Sequence, residues 1–261
     1  GSTENKSHIS MIISNGRRLS KLINDLLDFY KIRESGIQLQ QKPLNLSRLV
    51  DAILAFCQPL VQQKPISLIN QVSKNVPPIY ADRSRLEQVL YNLVENSIKF
   101  TNSGEIVVSS IQDQENQIKI IVSDTGIGIP EDQKTRIFYL FTQGKLTIEK
   151  GTQGTGLGLS IARSLVRLHD SDLHLESEIG KGSRFFFYLR IASEQEIASD
   201  PPVDSDHPYD SIPLLSGAKS QIPLTPIDFT EAPSSDIVKI DQMFKIMVID
   251  YEFKIYIREL G

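Results

Sequence analysis

Positions 9, 12, 16, 19, 23, 26 and 30 (Ile9, Ile12, Gly16, Leu19, Ile23, Leu26 and Tyr30) are spaced alternately by three and four, the seam of a helical hairpin or coiled coil. Ile13, Leu22 and Leu27 widen that stripe toward a four-helix bundle, so residues 3–34 are predicted to form one long helix that needs helical partners. Packing on the domain that follows is the simpler alternative. Ser35-Gly36 ends the pattern.

The period then changes. A strand is expected over Ile37 to Leu44, a helix from Ser47 to Gln63 capped by Asn45 or Ser47, and a strand from Ile66 to Val72 closed by Pro77-Pro78. Asp82 caps the next helix, whose apolar face is Leu86, Val89, Leu90, Leu93, Val94 and Ile98. Two alternating runs, Glu105–Ile111 and Gln117–Val122, are joined by a polar turn and predict a hairpin. A helix over Leu157–Leu168 and strands over Leu173–Ser177 and Ser183–Ile191 follow. Such a mixture predicts an α+β fold: a two-layer α/β sandwich, its mixed sheet covered by helices on one face and preceded by the long helix.

From residue 193 to 242 the composition shifts. Seven of the thirteen prolines fall there among Ser, Asp and Thr, which favours a linker over a packed unit. Apolar patterning returns over 243–261, where Ile246-Met247-Val248-Ile249 reads as a buried strand ending at Asp250.

Composition excludes more than it assigns. The chain of 261 residues has a net charge of -4, so no positive field attracts nucleic acid. No apolar run approaches the ~20 residues that span a bilayer, and no signal-peptide pattern opens the chain. The single cysteine, Cys57, sits in an apolar stretch and reads as a buried thiol, which fits a reducing cytoplasmic setting. Gly1-Ser2 has the look of a cloning remnant, so a piece of a longer protein is expected.

Four short motifs carry candidate chemistry. In Asn92-Leu93-Val94-Glu95-Asn96-Ser97-Ile98-Lys99-Phe100 two amides four apart share a helical face, and amide oxygens suit Mg²⁺. Lys99 adds a cation for phosphate. In Asp124-Thr125-Gly126-Ile127-Gly128 a carboxylate at a strand end can accept from an exocyclic amino group, and the glycines admit a flat ring. In Gly154-Thr155-Gly156-Leu157-Gly158 bare amides open a helix and can cradle phosphate, although neither the dinucleotide fingerprint nor a P-loop is present. Gly180-Lys181-Gly182-Ser183 is a tight turn into a strand. Taken singly, each motif fits ordinary helix or turn structure as well.

In this order, with Arg136-Ile137-Phe138-Tyr139-Leu140-Phe141 between the second and third, the motifs resemble the catalytic ATP-binding domain of sensor histidine kinases over residues 36–192. That domain belongs to the superfamily of gyrase, heat-shock chaperone, histidine kinase and mismatch-repair ATPases. Leu22-Ile23-Asn24-Asp25-Leu26-Leu27-Asp28-Phe29 resembles the second helix of the family's dimerisation and phosphoacceptor hairpin, which assigns residues 1–35 to it.

The resemblance implies ATP and Mg²⁺ as cofactors. It implies Asn96 as metal ligand, with Asn92 beside it, Lys99 on phosphate and Phe100 flanking the base. Asp124 would bind the adenine amino group between walls shaped by Gly126 and Gly128, and Ser183 would support Asp124 directly or through water. Gly154, Thr155, Gly156, Leu157 and Gly158 would form the phosphate cradle, and residues 142–153 an ATP lid hinged at Gly144, Gly151 and Gly154. Implied partners are a histidine-bearing hairpin of a parent kinase, a response regulator or fused receiver, and a second copy in a homodimer.

The resemblance is incomplete in specific places. None of His8, His169, His174 and His207 carries the family's phosphoacceptor motif, so no catalytic residue is assigned and the target histidine is expected from elsewhere. Tyr139-Leu140 stands where Glu-Pro is common. Asp170-Ser171-Asp172 stands where Gly-Gly is common and reads as a harmless surface turn. Asp250-Tyr251-Glu252 after the last strand looks like the start of a receiver domain in a hybrid kinase, or an incidental apolar tail. Two other functions stay open: a slow ATPase of the same fold, or a nucleotide-sensing scaffold without phosphotransfer. The hydrolysing relatives place a glutamate four residues before the metal asparagine, where this chain has Asn92, an amide that cannot act as a base.

Overall fold

The computed structural model describes residues 38–61, 64–113, 116–139 and 156–202. The expected long helix over 3–34, the lid over 142–153, Gly154 and Thr155 of the cradle, the linker beyond 202 and the receiver-like tail lie outside the described residues.

Two sheets are present among the described residues. Strand β1 (Gln41–Leu44) pairs antiparallel with β3 (Ile79–Asp82) in a two-stranded ribbon. The larger sheet has the order β2-β4-β5-β7-β6, built from β2 (Ile66–Gln71), β4 (Gly104–Gln112), β5 (Gln117–Asp124), β6 (His174–Glu178) and β7 (Gly182–Arg190). β2 runs parallel to β4 and the remaining pairs are antiparallel, so the sheet is mixed.

The period-two pattern fixes the register of its centre. Ile118, Ile120 and Val122 of β5 stand opposite Leu189, Phe187 and Phe185 of β7, and all six are buried. Asp124 ends that inward row, level with Ile106 on one side and Ser183 on the other. A carboxylate in a row of core residues marks where packing yields to chemistry. On the opposite face the Lys119 ammonium lies 3.7 Å from the Phe186 ring centre, and His174 stacks on that ring at 5.1 Å.

Helices α1 (Leu46–Cys57), α2 (Arg83–Phe100) and α4 (Gly158–Leu168) complete the core with Leu49 and Ile53, Leu90 and Leu93, and Ile161 and Leu165. Two short helices lie elsewhere: α3 (Glu131–Lys134) and α5 (Glu194–Ser199). Asn45 caps α1 by accepting from the Arg48 amide at 3.1 Å, and Asp82 caps α2 by accepting from the Arg85 amide at 3.2 Å. His169 ties the far end of α4 to this second cap. Its Nε2 accepts from the Asp82 amide at 3.1 Å while Nδ1 donates to the Leu165 carbonyl at 2.8 Å. Only the neutral Nδ1–H tautomer fills both roles.

Three boundaries depart from expectation. α1 stops at Cys57 and tightens to a 3₁₀ turn over Gln58–Val61, because Pro59 has no amide hydrogen with which to extend the ladder. β1 begins at Gln41, with residues 38–40 outside any strand. Residues 194–199, expected to be linker, form a helix: Ser193 and Glu196 make a reciprocal capping box that starts α5, and Arg190 donates to both Glu196 oxygens at 2.8 and 2.6 Å. β3 was not expected at all.

Cys57 is fully buried, as its apolar setting implied. Loss of hydration pushes its thiol up to about 12, and the Glu95 charge adds to the shift. A disulfide reagent at pH 8 is therefore expected to leave the native thiol unlabelled and to label it fully in denaturant. Labelling of the native chain at the denatured rate would contradict this burial.

Candidate functional site

The first, second and fourth motifs, scattered over 92 positions of sequence from Asn92 to Ser183, meet at one end of the sheet. Asp124 is the meeting point. Its Oδ1 accepts from the Gly126 amide at 2.9 Å and the Ser183 amide at 3.2 Å, and its Oδ2 accepts from the Ser97 hydroxyl at 3.3 Å. Those donors belong to the second, fourth and first motifs. Burial pushes the carboxyl up from its ordinary value and the three donors pull against that shift. The support from Ser183 is direct and comes from its backbone. Its hydroxyl lies 3.0 Å from Ser177 Oγ, which donates to the Gly182 carbonyl at 2.8 Å and accepts from the Ile129 amide.

Glycines are required where backbones touch. A Cβ on Gly126 would lie 2.6 Å from the Phe100 carbonyl oxygen, and one on Gly128, whose φ is +72°, would lie 2.0 Å from the Glu178 carbonyl oxygen. The loop after β5 is thus pressed between the end of α2 and the β6–β7 turn. The Ile127 amide closes the first contact by donating to the Phe100 carbonyl at 3.3 Å.

The first and third motifs face each other across the α2–α4 contact. Asn96 Nδ2 donates to the Asn92 carbonyl at 2.9 Å, which turns Asn96 Oδ1 away from the helix backbone. Asn92 is buried, and a Cβ on Gly158 would lie 3.4 Å from Asn92 Oδ1 and 3.8 Å from Asn96 Nδ2. No side chain caps the first turn of α4, Gly156 enters it at a φ of +71°, and the buried Leu157 anchors it. Bare amides at a helix N-terminus beside two amide side chains make a setting for an anion with its metal. The Lys99 ammonium sits 4.9 Å from the Phe100 ring centre at the end of α2.

A divalent ion fits this donor set only as a shared one. Among the described residues no three His, Cys, Asp or Glu side chains cluster, so an ion held here by amide oxygen would draw further ligands from phosphate and water.

Ser97 and Ser177 were missed from sequence. Ser97 carried a signal, a polar residue on the buried face of α2, and Ser177 a fainter one, a hydroxyl in the same alternating row as Leu173 and Leu175. The turn at Asp170-Ser171-Asp172 is also more than surface. Asp172 receives both the Nε and NH2 groups of Arg163 at 2.8 Å each and those of Arg167 at 3.2 Å each. Arg163 in turn lies 4.9 Å from the Phe138 ring centre, and Phe138 meets Phe185 edge-on.

The two guanidinium groups hold the Asp172 carboxyl far below the usual carboxylate range. A depressed folded value means that this stabilisation is complete above the unfolded value of 3.8 and is lost as pH falls toward the folded one. Asp172→Asn is expected to cost about 1 kcal/mol at pH 7, a surface-pair magnitude because the side chain is a third exposed, and progressively less as pH falls below 3.8. Melting curves across pH would reject the pairing if the deficit persisted in acid.

Fold and site together define an ATP-binding domain of the mixed-sheet type just described. A family model, histidine kinase-, DNA gyrase B- and HSP90-like ATPase, matches residues 81–193. The autoinducer 2 sensor kinase/phosphatase LuxQ of Vibrio cholerae serotype O1 is 37% identical over 195 residues, covering 72% of this chain and 22% of that relative. The adaptive-response sensory kinase SasA of Crocosphaera subtropica is 36% identical, covering 67% and 46%. Among solved structures, full-length ShkA in complex with AMPPNP superposes with a TM-score of 0.65 at 30% identity, over 73% of this chain and 40% of that one. The catalytic domain of histidine kinase ThkA gives 0.51 at 30%, over 59% and 97%. The chain belongs to the sensor histidine kinase family, through its catalytic ATP-binding domain. It spans between a fifth and a half of the length of these two kinase relatives. Among the described residues no helix is long and apolar enough to cross a membrane.

Proposed function

We propose that this chain binds Mg-ATP and donates the γ-phosphoryl group to a histidine imidazole on a hairpin of the parent kinase, for relay to an aspartate of a response regulator or fused receiver. The parent is proposed to act as a homodimer. The observation that carries this reading is the convergence on Asp124 of donors from three separate motifs, which fixes one carboxylate beside the Gly126–Gly128 loop, where it can take a base's amino group.

The residues divide the work by chemistry. Asp124 and the Gly126–Gly128 loop hold and orient the adenine, with Phe100 at its flank. The first-turn amides of α4 donate to the phosphates, Gly154 and Thr155 being further members of the cradle by sequence alone, and Lys99 offsets the phosphate charge. Mg²⁺, when bound, would sit on Asn96 beside Asn92 and neutralise charge on the transferring group. Nothing in this set forms a covalent intermediate; the contribution is positioning and electrostatics. Asn92 gives water no general base, which separates the reading from an ATPase.

The test mixes the full chain with a separately made histidine-bearing hairpin of its parent and labelled ATP. Acid-labile, base-stable label on the hairpin is expected. Nucleotide binding without transfer would favour a sensing scaffold, and rapid release of inorganic phosphate would favour an ATPase.

A further inference from the structure

The end of α2 that bears Lys99 and Phe100 is held by a residue outside every motif. A helix leaves its last carbonyls without partners inside the helix, and they carry the negative end of its dipole. Here those acceptors are fully accounted for. The Ser97 carbonyl takes the Thr101 amide at 3.0 Å, and the Phe100 carbonyl takes the Ile127 amide. The others converge on one ammonium: Lys64 Nζ donates to the carbonyls of Ile98 at 2.6 Å and Thr101 at 2.9 Å, with Lys99 at 3.4 Å.

Lys64 is itself fixed in place. Its amide donates to the Val61 carbonyl at 2.9 Å, its carbonyl accepts from the Ile66 amide at 2.8 Å, and the next residue, Pro65, accepts from the Gly104 amide at 3.0 Å. The ammonium therefore stands on the parallel β2–β4 edge of the sheet and grips the helix end from one side. The Gly126–Ile127 loop grips it from the other, with no room for a Cβ between.

We propose that Lys64 is a positioning residue for the nucleotide: its ammonium clamps the final turn of α2 so that Lys99 and Phe100 present to phosphate and base in register with Asp124. The proposal rests on the nucleotide-binding reading above. A cation suits the place for a reason beyond hydrogen bonding. Three converging carbonyls next to a polyphosphate site would add negative potential, and the ammonium cancels it at its source.

Two readouts separate the clamp from ordinary stabilisation. In the nucleotide-free full chain, Lys64→Met is expected to speed hydrogen exchange of the Ile127 and Thr101 amides while leaving Ile161, at the start of α4, unchanged. In calorimetry with Mg-ATP, the same variant is expected to bind about tenfold more weakly, the effect of losing one good interaction. Lys64→Arg, which keeps the charge and several donors, should recover most of that affinity and the slow exchange. Urea unfolding of each variant establishes that binding is compared between folded chains.

Lys64→Met binding Mg-ATP as the natural chain does would overturn the proposal. So would Lys64→Arg losing as much as Lys64→Met, since any intact cation should grip those carbonyls. If Lys64→Met does not fold, Lys64→Arg decides by itself: wild-type affinity supports the clamp and a tenfold loss removes it. A natural chain that takes up no Mg-ATP would sink the nucleotide reading and the positioning role with it. The exchange result would still tell whether the helix end is clamped.

Discussion

Asp124→Asn is expected to weaken Mg-ATP binding about a hundredfold while leaving the fold intact, because the two carboxylate oxygens have different tasks. Oδ1 takes both backbone donors, from Gly126 and Ser183, and an amide oxygen can take them equally well. Oδ2 has the Ser97 hydroxyl, which can rotate to accept from an amide NH₂ instead of donating to an oxygen. The change is therefore nearly isosteric. Burial raises the carboxyl above its ordinary value, so the ionised form costs the native state stability and a neutral amide removes that cost. The urea midpoint should not fall. What changes is the group offered to the base. An acceptor becomes a donor where an adenine amino group must donate, forfeiting a charge-assisted hydrogen bond of about 1.5–3 kcal/mol and opposing two donors. Guanine carries an acceptor at the corresponding position, so GTP should lose less than ATP and the preference between them should narrow. Titrations of both nucleotides against both proteins check this. Equal ATP affinities would mean that the base is read elsewhere.

The sequence carried the centre of the fold better than its margins, for physical reasons. The alternation in β5 and β7 extends over eight or nine residues, long enough to fix register and to expose Asp124 as a polar residue in an apolar row. The stripe on α2 is five turns long, and its cap Asp82 was visible in advance. β3 has only four residues, the last of them that cap, too short for any period to declare itself, although Ile79 and Ala81 are both fully buried. The end of α1 turned on one proline inside an apolar run. At the site, ordered motifs named Asp124, Gly126 and Ser183, which are joined by hydrogen bonds, and Asn92, Asn96 and Gly158, which adjoin across the α2–α4 contact. Ser177, Lys64 and Asp172 were missed because each acts through a partner distant in sequence or on another element. A lysine before a proline in a loop reads as solvated until the helix end it faces is known. Asp172, dismissed as part of a surface turn, gains its role from arginines that helical spacing places on the neighbouring face of α4.

Gly182→Ala should destabilise the chain more than Gly180→Ala in the same turn. Two independent costs coincide there. The φ of Gly182 is +99°, a conformation that costs an L-residue about 1–2 kcal/mol. The added Cβ would also lie 1.9 Å from the Asp124 carbonyl oxygen, a backbone atom fixed in the β5–β7 ladder, and forcing that contact apart costs about 1–3 kcal/mol more. Gly180, two residues earlier in the same turn, separates the terms. Its φ is +78°, yet a Cβ there meets nothing within 4 Å, so Gly180→Ala incurs only the backbone cost of about 1–2 kcal/mol. The expected order in urea unfolding is natural chain, Gly180→Ala, then Gly182→Ala, with the last reduced by roughly 2–5 kcal/mol. Because the displaced atom belongs to Asp124, residual folded Gly182→Ala should also bind Mg-ATP weakly, whereas Gly180→Ala should bind normally. Matching midpoints for the two variants would show that strand β7 does not approach Asp124 so closely, and that the carboxylate is held by the Gly126 amide and the Ser97 hydroxyl alone.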